Sequence, residues 1–326
     1  MIGLRRTSVL CIFLALLPFA TAQSSNARAV QSWRADHHMH LSSADLCARL
    51  GDCPDCECLK SDQPPAVLAA DAIKALDDAH VSKGVILSGA YLYARPSVHL
   101  SAGETAKKVR LENEFTAAEV AKYPKRLVGF FSVNPLQDSA VEEVRYWGAK
   151  SQFAGLKLHF NASAVNVRNA EDRKKVSRIL AEAAKKGLPM VIHVGGGNFN
   201  ASDAELFITE ILPSAGDSWV QIAHAGGGMP SRNGNNLAVL RTFGDHIVRN
   251  DPRTRRILFD LSFVPAPDDS PQGFAQEIRR IGFKHFVFGS DFSVQMPSDA
   301  IVNLKRLGLS AEEMQTLSQN CAPWAC

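Results

Sequence analysis

Histidine and carboxylate side chains recur at one kind of place in this 326-residue sequence, the ends of short apolar runs. His38 and His40 close a run that begins at Trp33. Lys157 and His159 lie within Gly155–Phe160, His193 follows Met190–Ile192, His224 follows Val220–Ala223, and Asp291 ends the run from Phe286. Side chains at i and i+2 of a strand project to the same side. The spacing His38-Met39-His40 therefore aims two imidazoles at one point, where they can bind one metal ion at roughly 2.0–2.1 Å each. His37 points the other way and reads as a packing residue or a hydrogen-bond partner behind the site. Lys157 shares a face with His159 but lies about 6–7 Å deeper. It reads as a lysine lining the interior and paired there, as a buried charge must be. Asp260 either points inward and holds a ligand histidine or faces the surrounding helices. Glu112 and Glu114 lie on a charged helix and read as a solvated face. Ser290 beside Asp291 lacks the nucleophile-elbow pattern of a serine hydrolase.

The elements that must position these residues alternate along the chain. Eight strands are expected at Trp33–His40, Gly84–Ser88, Arg126–Asn134, Gly155–Phe160, Met190–Val194, Val220–Ala225, Ile257–Phe263 and Phe286–Asp291. Helix-patterned stretches separate them. The strands are continuous runs rich in Val, Ile, Leu and Phe, as strands buried on both faces are. Eight such units predict a (β/α)8 TIM barrel, whose functional groups stand at the C-terminal ends of the strands. An open, doubly wound sheet would carry a glycine-rich phosphate turn. Gly195-Gly196-Gly197 and Gly226-Gly227-Gly228 follow strands without matching that fingerprint.

The N-terminus reads as an export signal. Arg5 and Arg6 precede an apolar stretch, Val9–Phe19, and Ala20-Thr21-Ala22 offers a small-residue cleavage site. Residues 1–22 are thus expected to be a signal peptide and 23–326 one barrel domain. The apolar stretch is shorter than the roughly 20 residues of a membrane span. The mature chain is expected to be exported, periplasmic or secreted, and not embedded in a membrane. With 36 basic and 33 acidic residues, the chain has no charge excess that would argue for nucleic acid. A small-molecule substrate is the expected partner, with a homo-oligomer left open. Six cysteines follow the leader: Cys47, Cys53, Cys56, Cys58, Cys321 and Cys326. An even count in an exported chain points to disulfides. Cys321 and Cys326 could pair with each other or staple the tail to the Cys-rich loop at 47–58.

Asp36-His37-His38-Met39-His40, Gly155-Leu156-Lys157-Leu158-His159, His193, His224-Ala225-Gly226-Gly227 and Gly289-Ser290-Asp291 together resemble the amidohydrolase-related family of the amidohydrolase superfamily. That branch includes decarboxylases of the aminocarboxymuconate-semialdehyde type. The resemblance spans nearly all of the chain after the leader. It implies a divalent metal, most commonly zinc, held by His38, His40, His193 and Asp291. It also implies that His224 holds or polarises the substrate or the metal-bound water. Asn320-Cys321-Ala322 resembles an Asn-containing element near the family's C-terminus. Phe292-Ser293 departs from the pattern, since proline often follows the Asp in the family. On these motifs the first expectation is a hydrolase that uses a metal-activated water on an amide, lactone or other ester. Asp291 and His224 would be catalytic, with Lys157 and His159 touching substrate. The alternative is metal-dependent non-oxidative decarboxylation of a carboxylated small molecule, served by the same residues.

Overall fold

The computed structural model describes residues 31–49, 66–196, 198–228, 235–267 and 269–326. The expected signal peptide and most of the Cys-rich loop lie outside these residues. Eight strands form one sheet in the order β1 to β8: Asp36–Met39, Gly84–Leu87, Leu127–Ser132, Gly155–His159, Met190–His193, Val220–Ile222, Ile257–Asp260 and Phe286–Val287. Every neighbouring pair is parallel. The sheet closes from β8 to β1 through His37 N–H to Phe288 O at 2.9 Å and Asp291 N–H to His38 O at 2.8 Å. This is the (β/α)8 barrel that the alternation of runs predicts.

The two faces of each strand have different neighbours. Leu156, Leu158, Met190, Ile192, Val220, Ile222, Ile257 and Phe259 share one core with helix residues such as Val176, Ile179, Leu240, Phe243 and Ile278. Those come from α5 (Ala170–Ala184), α7 (Asn235–Val248) and α8 (Pro271–Ile281). The alternate residues form the barrel interior. Its lower part is apolar: Val85, Leu87, Phe130 and Val191 cluster with Ala325, and Leu258 and Val287 with Ala322. The chain end covers this side. Cys321 and Cys326 are bonded to each other, which selects the local pairing from the two expected. Cys47 is disulfide-bonded as well. Within the loop so closed, the Trp324 ring lies 5.9 Å from that of Phe130. Asn320 Nδ2 donates to Phe283 O and Phe286 O, so the Asn element ties the tail to β8 rather than lining a site.

Two expectations need correction. Glu112, on α3 (Ala102–Ala121), is not solvated: it is 2% exposed and accepts from Ser43 N and Oγ. The chain after β1 folds over that helix face, which a charged helical pattern does not reveal. The runs expected to continue strands 6 and 8 to Ala225 and Asp291 leave the sheet earlier. His224 and Asp291 adopt left-handed backbone, with φ of 53° and 67°, and so stand on turns just past the ladder. Among the described residues, no helix is long and apolar enough to cross a membrane.

Candidate active site

The inward side chains of the upper strands converge. His38 Nε2, His40 Nε2 and Asp291 Oδ1 form a triangle with each side 3.2 Å. The hydrogens on the two rings follow from their other nitrogens. His38 Nδ1 lies 3.1 Å from Asp260 Oδ2, and His40 Nδ1 lies 2.7 Å from Leu87 O. Both partners accept, so each Nδ1 carries the hydrogen and each Nε2 presents a lone pair. Burial, then the charge of Lys157, lowers the His38 pKa to about 4, so this ring is neutral at pH 7.

The triangle is thus three electron-pair donors with no hydrogen to share between them. Such a set suits a cation at its centre. Ligands about 2.1 Å from one ion, at tetrahedral to octahedral angles, sit about 3.0–3.4 Å apart, and the observed spacing falls within that range. His224 also has a ring nitrogen within 4.8 Å of ligand atoms of His38 and Asp291. The residues present therefore fit a divalent ion.

Around the triangle stand the remaining expected residues. Lys157 is fully buried on β4, and its Nζ lies 3.4 Å from His38 Nε2. Burial lowers its pKa to about 8, against the pull of Asp291 and Asp260. His159 and His193 are register partners across β4 and β5, and their rings stack at 3.9 Å. His159 Nδ1 accepts from Ala162 N at 3.2 Å, so its Nε2 is the donor. Burial holds both histidines well below their usual pKa. His193 Nδ1 is 3.1 Å from His224 Nε2, which brings His193 to the cluster by way of His224. Tyr91 packs its ring 5.0 Å from that of His159. For Asp291, burial opposes ionisation, but His38, His40 and His224 outweigh it and keep the carboxylate ionised.

Glycines let the rings approach. A Cβ on Gly228 would lie 2.8 Å from His193 Nε2, and one on Gly289 would lie 3.0 Å from His38 Cβ and 3.2 Å from Asp260 Cβ. Of the two directions open to Asp260, the side chain takes the inward one and is fully buried. Gln221 Nε2 donates to Asp260 Oδ2 at 2.7 Å, and Ser262 Oγ to Asp260 Oδ1 at 2.5 Å. Neither Gln221 nor Ser262 belongs to a motif that singles it out in the sequence. The signal available is their polarity within apolar runs of β6 and β7. His37 takes the supporting role expected of it. Its Nδ1 faces Phe288 O at 3.0 Å and its Nε2 accepts from Ala322 N, joining β1 to β8 and the tail.

The amidohydrolase family profile matches residues 35–317, and the chain belongs to that family. No curated protein is significantly similar to it in sequence. Among solved structures, it is similar to 5-carboxyvanillate decarboxylase from Sphingomonas paucimobilis (13% identity, TM-score 0.62, covering 88% of this chain and 97% of that one). It is also similar to a dihydroxybenzoic acid decarboxylase from a Polaromonas species with bound manganese and the inhibitor 2-nitroresorcinol (15% identity, TM-score 0.54, 88% and 94%). A third is an amidohydrolase from Burkholderia multivorans with bound zinc (14% identity, TM-score 0.57, 88% and 96%). At these identities the likeness is one of fold. The expectation of a hydrolase is corrected here: the solved proteins that share this barrel are mostly decarboxylases. Lys157 and His159, the polar residues of β4, are not specific to attack by water.

Proposed function

We propose that this chain is a metal-dependent non-oxidative decarboxylase of a carboxylated small molecule. The observation that carries the reading is the likeness to ring-carboxylate decarboxylases over nearly the full length of both chains. The site supports it chemically. Lys157 Nζ and His159 Nε2–H are donors beside the ligand triangle, suited to a carboxylate.

His38, His40, His193 and Asp291 would hold the ion, zinc or manganese. Bound there, it supplies Lewis-acid stabilisation of negative charge and fixes the orientation of the substrate. Lys157 and His159 hold the substrate's anionic groups. The bond from the substrate carbon to the carboxylate breaks, and its electron pair stays on carbon. Asp291 and His224 flank that carbon, and His224 delivers the proton that replaces the departing carbon dioxide. Export belongs to the same proposal: the leader-like residues 1–22 and the Cys321–Cys326 disulfide both suit an oxidising compartment.

The test begins with elemental analysis of the purified protein, then its incubation, loaded with zinc or manganese, with hydroxylated and methoxylated benzoates. Near one ion per chain, lost in His38→Ala, and carbon dioxide released one-for-one with the decarboxylated ring are expected. No carbon dioxide from any carboxylate by ion-loaded protein would defeat the reading.

A further inference from the structure

Asp260 receives five hydrogen bonds. His224 N, Ser262 N and Ser262 Oγ point at Oδ1, and His38 Nδ1 and Gln221 Nε2 point at Oδ2. With donors on both oxygens, the carboxylate is ionised and can only accept. The single hydroxyl hydrogen of Ser262 is therefore committed to Asp260 Oδ1, 2.5 Å away. The same oxygen lies 2.7 Å from His224 Nδ1, so it meets that nitrogen as an acceptor. The main-chain carbonyl of Ser262 faces the same Nδ1 at 3.3 Å and can only accept as well. Two acceptor atoms of Ser262, its hydroxyl oxygen and its carbonyl, thus place the ring hydrogen on Nδ1. In the neutral ring, Nε2 then carries a lone pair, which faces His193 Nδ1 at 3.1 Å.

We infer that Ser262 is a positioning residue which, as the link between Asp260 and His224, holds the ring hydrogen of His224 on Nδ1 and leaves Nε2 as the nitrogen turned toward the site. One carboxylate then sets two rings. Asp260 orients the metal-facing His38 directly and the proton-transferring His224 through one hydroxyl. It also holds the left-handed backbone of His224 by accepting from its N–H at 3.0 Å. The catalytic part of this inference rests on the proposed decarboxylation. There, Nε2 passes to the substrate carbon, as carbon dioxide leaves, a proton taken from solvent before the substrate binds, while Nδ1–H stays on Ser262 and the Asp260 charge, felt through Ser262, supports the ring. Serine is suited to the task because its hydroxyl donates and accepts at once. All three groups are buried, so water does not readily substitute for it.

The test reads the hydrogen directly. Nitrogen-15 spectra of histidine-labelled, zinc-loaded protein should show His224 protonated at Nδ1 and bare at Nε2, a measurement that needs neither substrate nor variant. Ser262→Ala should lower kcat about 10- to 100-fold, with KM and ion content unchanged, and Ser262→Thr, which keeps the hydroxyl, should retain most of kcat. A wild-type His224 protonated at Nε2, or a Ser262→Ala protein with undiminished kcat, would overturn the inference. A protein inactive on every carboxylate defeats the functional reading instead, because the position of the hydrogen is read without turnover.

Discussion

At the C-terminal end of its strands the barrel interior holds His38, His40, Lys157, His159, His193, His224 and Asp291. At the other end it holds Val85, Phe130, Val191, Leu258 and Val287, closed by Ala322, Trp324 and Ala325. The same eight strands supply both sets. The upper end gathers ionisable groups in a buried place, and two of its residues, His224 and Asp291, sit on left-handed backbone that costs on the order of 1–3 kcal/mol each. The lower end is apolar, interdigitated and covalently closed. The contrast separates two demands: the lower end supplies packing, and the upper end gives some of it up for chemistry.

Variants at the two ends should fail in opposite ways. The largest effect is expected at the upper end. Asp291→Asn should lower kcat by roughly 10³-fold while the thermal midpoint stays near wild type; a fully active Asp291→Asn protein would break the division. Next comes Phe130→Ala at the lower end. It removes a fully buried ring and should cost about 3–5 kcal/mol in denaturant titration with kcat/KM little changed. A comparable loss of activity per folded molecule would mean that the ends are coupled.

A pH titration of stability probes His37, which ties β1 to the tail as a neutral ring. Burial lowers its pKa to about 4, below the 6.5 of an unhindered histidine. The unfolded chain therefore binds this proton first as pH falls. The contribution is fully present above about pH 7 and is lost as pH drops toward 4, on the order of 3 kcal/mol in all. In His37→Asn, stability should fall less steeply over that window, and an unchanged slope would exclude the residue as its source. The smallest effect is expected from opening the tail. The paired change Cys321→Ser, Cys326→Ser should cost about 2 kcal/mol, because the loop it releases is short. Equilibrium unfolding would show this, and turnover should be unaffected.

Much of the upper end is legible in the order of residues alone. A strand repeats every two residues, so His38 and His40 must share a side. Eight alternating apolar runs and helices, with no glycine-rich phosphate turn among them, predict a closed parallel sheet. What is not legible has a common cause. A strand buried on both faces does not reveal which face is inward, so the pattern leaves the direction of Asp260 open, and Ser262 and Gln221 do not stand out. The same limit applies to Glu112, whose burial comes from a segment some 70 residues away in sequence.

By itself, the sequence determined the eightfold strand–helix order, the His-x-His pair, the set of strand-end groups and the family they resemble, because each depends on local period and composition. Only the tertiary structure decided the rest. It turned His224 and Asp291 off the ladder, bonded Cys321 to Cys326, and brought Asp260 and Ser262 of β7 and its following turn against rings from β1 and from the turn after β6. These outcomes depend on which side chains meet across the closed sheet, and that closure is a property of the whole chain.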